Sequence, residues 1–290
     1  KTDIFLSIAF WGVRFVVWTL YCDSRYSGDE KLQKLGIEKG NEIIFFIPLQ
    51  VHIINILYRM NRQNSYLASK PHYEILDGLR GVAAVMVVAF HLLEAHSGGN
   101  HLEQIINHGY LAVDFFFMLS GFVIGYAYDD RWKTTMTQKE FFKRRLIRLH
   151  PMVVMGAVLG AITFCIQGCE QWDGTRVSIS MVMVAMLLNL FLIPAVPGTG
   201  PEVRGNGEMY PLNGPSWSLF FEYIGNIMYA LFIRRMSTKA LMALIVLAGI
   251  GLASFAIFNF SGAGHLGVGW TMEEYNLIGG FLRVLYSFSM

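Results

Sequence analysis

Gly109-Tyr110-Leu111-Ala112-Val113-Asp114-Phe115-Phe116-Phe117-Met118-Leu119-Ser120-Gly121-Phe122 opens an apolar run that continues to Tyr128. A helix needs about 20 such residues to cross the ~30 Å of a bilayer's hydrocarbon core. The run 110–128 meets that length and carries one charged side chain, Asp114. An amphipathic helix of a soluble core would show a polar face at helical spacing, and none is present. Comparable stretches occupy 75–94, 151–168, 215–233 and 240–258, and another begins at 277. The expected fold class is therefore all-α, a polytopic transmembrane helical bundle. Met290 falls inside the last apolar stretch, so the bundle reads as truncated at its C-terminus.

The composition supports this reading. Of the 290 residues, 54% are hydrophobic and 15% charged, and the mean hydropathy is +0.43. Soluble chains average about 25% charged residues. A net charge of +2 is too small for a nucleic-acid partner. The three cysteines exclude a disulfide framework. Cys165 and Cys169 read either as packing thiols or as a local pair.

Two regions follow from the walk along the chain. Residues 1–70 are an N-terminal extension with one or two apolar helices, 4–21 and 43–58; Arg14 interrupts the first and Pro48 the second. Residues 71–290 are the transmembrane domain. Basic residues cluster at 131–148 and at 234–239, and the positive-inside rule puts both on the cytoplasmic side. An even number of crossings must separate them. The segments 151–168 and 215–233 supply two, so 181–194 is expected not to cross fully, and the loop 196–214 is expected outside. Pro151 suits the first turn of its helix. The expected surroundings are a lipid bilayer, crossed in multi-pass form.

Ionisable groups inside spans are costly and face a cavity or a partner. Arg80 and His91 are 11 residues apart, which is roughly 16 Å along a helix and about 20° around it. They share a face with Asp77, with small Gly81 and Ala84 between them. One reading is a donor path ending at a catalytic imidazole. The other is a capping His and an interfacial Arg. Asp114 either orients His91 as a triad carboxylate does or is a solvated helix-start residue. Ser218, Glu222 and Asn226 form one polar stripe behind Pro215-Ser216-Trp217, either for acceptor hydroxyls or as an interhelical seam. Arg145 and Arg148 lie on one face and suit phosphates, or else anchor the helix to anionic lipid. His96, His101 and His108 lack metal-ligand spacing, so no metal is expected.

Together these pieces resemble membrane-bound acyltransferase family 3, the bacterial sugar O-acyltransferases, from about Tyr73 onward. The carriers are Leu76-Asp77-Gly78-Leu79-Arg80-Gly81 with His91 at the Arg-to-His spacing, the segment 109–122, Arg145-Leu146-Ile147-Arg148, and Trp217-Ser218-Leu219 with Glu222. The resemblance implies transfer of an acyl group, acetyl foremost, from cytoplasmic acetyl-CoA to a hydroxyl of an extracytoplasmic carbohydrate or glycolipid. It implies His91 as catalytic residue, with Asp114 and Glu222 assisting. Arg80, Arg145 and Arg148 would hold the donor, and Ser216, Trp217 and Ser218 the acceptor. The chain departs from the family in having fewer spans, in residues 1–70, and in a single Glu at 222 where many members have two. The rival readings are a polytopic transporter, which inverted repeats would support and which this sequence does not show, and a non-catalytic membrane subunit.

Overall fold

The computed structural model describes residues 73–97, 104–133, 136–262 and 264–290. The expected helices at 4–21 and 43–58 lie outside them. Seven α-helices run α1 Glu74–His96, α2 Leu111–Tyr128, α3 Gln138–Ile166, α4 Ile179–Leu190, α5 Ser216–Leu231, α6 Thr238–Ile257 and α7 Glu274–Ser289. No strand occurs among the described residues, only two isolated bridges, Glu170 with Arg176 and Glu208 with Thr271. The chain divides into two units, Lys1–Asn107 containing α1, and His108–Met290 containing the other six helices.

Among the described residues four helices are long and apolar enough to cross a membrane: α1, α2, α3 and α6. This is the all-helical, multi-pass architecture that the apolar runs predict. α4 has 12 residues, about 18 Å of helix, and is too short to span. α5 and α7 have 16 residues each, about 24 Å, and bury polar groups among their packed faces. The 215–233 segment is thus shorter as a helix than its apolar run.

α3 departs most from expectation. It begins at Gln138 instead of near Pro151, and the basic stretch belongs to the same 29-residue helix. Thr137 caps its start, the hydroxyl accepting from the backbone N–H of Glu140 at 3.2 Å. Arg144 donates to Glu140 one turn back at 3.0 Å. These local bonds start the helix early, and Pro151 sits inside it, removing one intrahelical donor.

In the second unit α5 is central, touching α2, α3 and α7, while α7 also packs on α2 and α6, and α4 packs on α3. α6 buries only Ala248 and Phe255. Glycines allow the close approaches. A Cβ on Gly121 would overlap the backbone of Phe288, and Cβ atoms on Gly156 and Gly160 would overlap Asn213 and Leu212. Small residues at helix contacts are the usual device in lipid, where apolar burial does not drive association.

The 191–214 loop is wound tightly. Tyr210 donates its hydroxyl to the carbonyl of Leu192 at 2.8 Å, and the N–H of Met209 donates to the carbonyl of Trp270 at 2.9 Å. Arg204 is buried over the Phe164 ring, 4.5 Å from its centroid, and donates to Gln167 Oε1 at 3.1 Å. Cys165 and Cys169 are free thiols, the first exposed and the second buried. Burial, aided by Cys165, pushes the Cys169 thiol up to about 11.

Candidate active site

The first unit presents its chemistry on α1. Arg80 Nη1 donates to Asp77 Oδ1 at 2.9 Å. His91 Nδ1 donates to Glu94 Oε2 at 2.9 Å. α1 is unbroken from Glu74 to His96, so Arg80 and His91 share one side of a continuous rod. Glu94 escaped the sequence reading. The signal was there in its spacing of three from His91, which places the two side chains together on a helix. A carboxylate only accepts, so this bond puts the Nδ1 proton towards Glu94 and leaves Nε2 as the basic nitrogen.

In the second unit polar groups lie in three layers across the helices. The first joins α2 to α7. Arg283 Nε and Nη2 reach Asp114 Oδ1 and Oδ2 at 3.0 and 2.9 Å. The same guanidinium donates to the carbonyl of Tyr110 at 3.1 Å and to that of Val268. It lies 5.2 Å from the Trp217 ring centroid and is 1% exposed. Asp114 gives both oxygens to Arg283, a residue absent from the sequence reading.

The second layer, near the middle of α2 and α5, joins three helices. Ser120 Oγ donates to Glu222 Oε1 at 2.8 Å, and Arg145 Nη2 donates to the same oxygen at 3.0 Å. The Arg145 side chain is 2% exposed and that of Glu222 22%. Arg145 Nε is buried without a hydrogen-bond partner among the described residues. The sequence reading placed Arg145 at the donor end and Glu222 at the acceptor end; they are hydrogen-bonded to each other. Arg148, one turn on, is half-buried. The third layer closes the opposite end of α5: Tyr229 donates to Asp129, Trp132 Nε1 donates to the Tyr229 oxygen at 3.2 Å, and Arg234 covers the Trp132 ring at 4.0 Å.

The expected acceptor residues are buried at the start of α5. Ser216 Oγ accepts from Asn213 Nδ2 at 2.9 Å, and Ser218 donates to the carbonyl of Pro215 at 3.0 Å. Their hydroxyls hold the helix start, while Trp217 is wedged among Arg283, Phe117 and Phe221. Asn226 Nδ2 donates to the backbone carbonyl of Glu222, so the expected stripe is bonded within α5 and across to α2 and α3. His101 lies outside the described residues, among which no group of three or more His, Cys, Asp and Glu is placed to hold a metal.

Apolar helices of spanning length with paired charges between them define a multi-pass membrane protein. The family follows from comparison with known proteins: the acyltransferase domain of family 3 matches residues 73–288, and the chain belongs to that family. As a class it is an O-acyltransferase. It is 32% identical over 192 residues to protein 2 in the picA locus of Rhizobium radiobacter, covering 61% of this chain and 91% of that one. It is 28% identical over 170 residues to the acyltransferase MdmB of Streptomyces mycarofaciens, covering 55% of this chain and 38% of that protein. It is 32% identical over 105 residues to the peptidoglycan O-acetyltransferase OatA of Listeria monocytogenes, covering 36% of this chain and 15% of that protein. The chain therefore spans well under half of the last two relatives. No solved structure matches it.

Proposed function

We propose that this protein transfers an acyl group, acetyl foremost, from cytoplasmic acyl-CoA to a hydroxyl of an extracytoplasmic carbohydrate. The observation that carries the proposal is the 2.9 Å bond from His91 Nδ1 to Glu94. It holds the imidazole against an acid partner, the arrangement of a general base. The acceptor oxygen attacks the thioester carbonyl as Nε2 takes its proton. The carbon–sulfur bond then breaks, and the proton passes to the departing thiolate. Arg80, held by Asp77, supplies positive charge on the same side of α1 for the donor. Arg148 takes donor phosphate, for which a guanidinium fork is suited. Glu222 receives the acceptor, while Asp114 and Trp217 support it through Arg283. The similarity to OatA, a peptidoglycan O-acetyltransferase, supports the carbohydrate class, and the inner membrane is the location where such a donor and acceptor meet.

The test is mass spectrometry of envelope glycans from cells carrying the intact or altered gene. His91→Ala should abolish acetylation with normal protein levels. Glu94→Gln should lower it about 10- to 100-fold, as losing a group that orients a functional side chain does. Undiminished acetylation in His91→Ala would end the assignment.

A further inference from the structure

The two guanidinium–carboxylate pairs that join helices among the described residues of the second unit, Arg283 with Asp114 and Arg145 with Glu222, are built differently. Arg283 engages both oxygens of Asp114 and two backbone carbonyls besides. Both oxygens of its carboxylate partner are engaged, as in a scaffold pair. At Glu222 both bonds fall on one oxygen, Oε1, from Ser120 and Arg145. Oε2 receives no hydrogen bond from a described residue, and the side chain retains 22% exposure. The carboxylate is thus gripped on one side and open on the other. The grip comes from α2 and α3, on a residue carried by α5, and it sits close to the middle of α2 and α5.

Arg145 is ill-suited to hold a nucleotide. Its side chain is 2% exposed and hydrogen-bonds to Glu222. A phosphate could reach so enclosed a side chain only by displacing what covers it, and drawing the guanidinium away from Glu222 would leave a charge without its partner, which is strongly unfavourable. Arg148 stands one turn further along α3 and is half-buried. The two arginines of one helix face therefore occupy different surroundings and have different tasks.

We propose that Arg145 and Ser120 are positioning residues for Glu222: they lock Oε1 so that Oε2 accepts a hydrogen bond from a hydroxyl of the acceptor other than the one that attacks, and Arg145 is not a ligand of the donor phosphates. This rests on the acyl-transfer reading above. It divides the Arg-x-x-Arg pair into one arginine for the donor and one for the carboxylate.

The experiment uses the whole protein in detergent micelles. It measures binding of acetyl-CoA and of 3′-dephospho-acetyl-CoA, and labelled acetyl incorporation into glycans of native membranes. Arg148→Gln should weaken acetyl-CoA binding about tenfold or more and erase the preference for the 3′-phosphate. Arg145→Gln, Ser120→Ala and Glu222→Gln should leave donor affinity within about twofold while lowering kcat roughly 10- to 100-fold. The double variant Arg145→Gln/Glu222→Gln should be no slower than its worse parent, because both substitutions remove one unit. If Arg145→Gln does not accumulate, Arg145→Lys and Ser120→Ala carry the same comparison. Donor binding weakened as much by Arg145→Gln as by Arg148→Gln, with the 3′-phosphate preference lost, overturns the inference; so does an additive double variant. A native protein that binds no acetyl-CoA and acetylates no glycan defeats the acyl-transfer reading itself and takes this inference with it.

Discussion

Asp114 shows how far one residue can be read in isolation. Its presence within an apolar run marks it as expensive and therefore partnered. The partner could not be read, because Arg283 is 169 positions away and nothing local links them. Glu222 and Arg145 carry the same lesson, being 77 apart. Each was legible as a charge that must serve a purpose, and neither as half of a pair. Local bonds were more accessible: Arg80 with Asp77 and His91 with Glu94 both follow from a spacing of three. At this scale Arg283→Met should destabilise the protein by about 1.5–3 kcal/mol, since it removes the charge-assisted hydrogen bonds of a carboxylate that is largely enclosed. Asp114→Asn/Arg283→Met should recover part of that loss. Thermal unfolding in micelles measures both, and an unchanged midpoint in Arg283→Met would contradict the scaffold role.

At the level of elements, hydropathy located every helix from α1 to α7 but misjudged where α3 begins. A proline was taken for a first-turn residue because that is where proline fits most easily. The Thr137 cap and the Glu140–Arg144 pair outweigh that preference, and the helix runs through Pro151. Equally hidden was the purpose of Gly156 and Gly160, whose bare faces admit the 209–214 loop against α3. Gly160→Val should push the Leu212 carbonyl away and lower stability by about 1–3 kcal/mol, as overpacking does. Gly78→Ala, on a glycine with nothing within 4 Å of a built Cβ, is the comparison. Equal unfolding midpoints for the two variants would show that the loop yields without strain.

Across the whole molecule, what the sequence exposes is the membrane architecture, because bilayer thickness acts on length and composition alone. What it conceals is the arrangement between helices, which depends on contacts distant in the chain. The positive-inside argument still makes a claim about the assembled protein. Reporters fused within 131–137 and 234–239 should lie on one side of the membrane, and a reporter at 197–201 on the other. Labelling with an impermeant reagent in intact cells reads this out. Reporters at 131–137 and 234–239 found on opposite faces would require a different number of crossings.

The distance in sequence between Asp114 and Arg283 also sets a timetable for biosynthesis. A ribosome adding about 5–20 residues per second takes roughly ten to thirty seconds to travel from one to the other. Throughout that interval the nascent α2 carries an acid for which no counter-ion has been made. The acid stands in the first turn of α2, where water at the bilayer boundary can shelter it until α7 arrives. Moved two turns deeper, the same side chain would meet hydrocarbon before its cation existed, and insertion of the helix, more than the final fold, would be the step that fails.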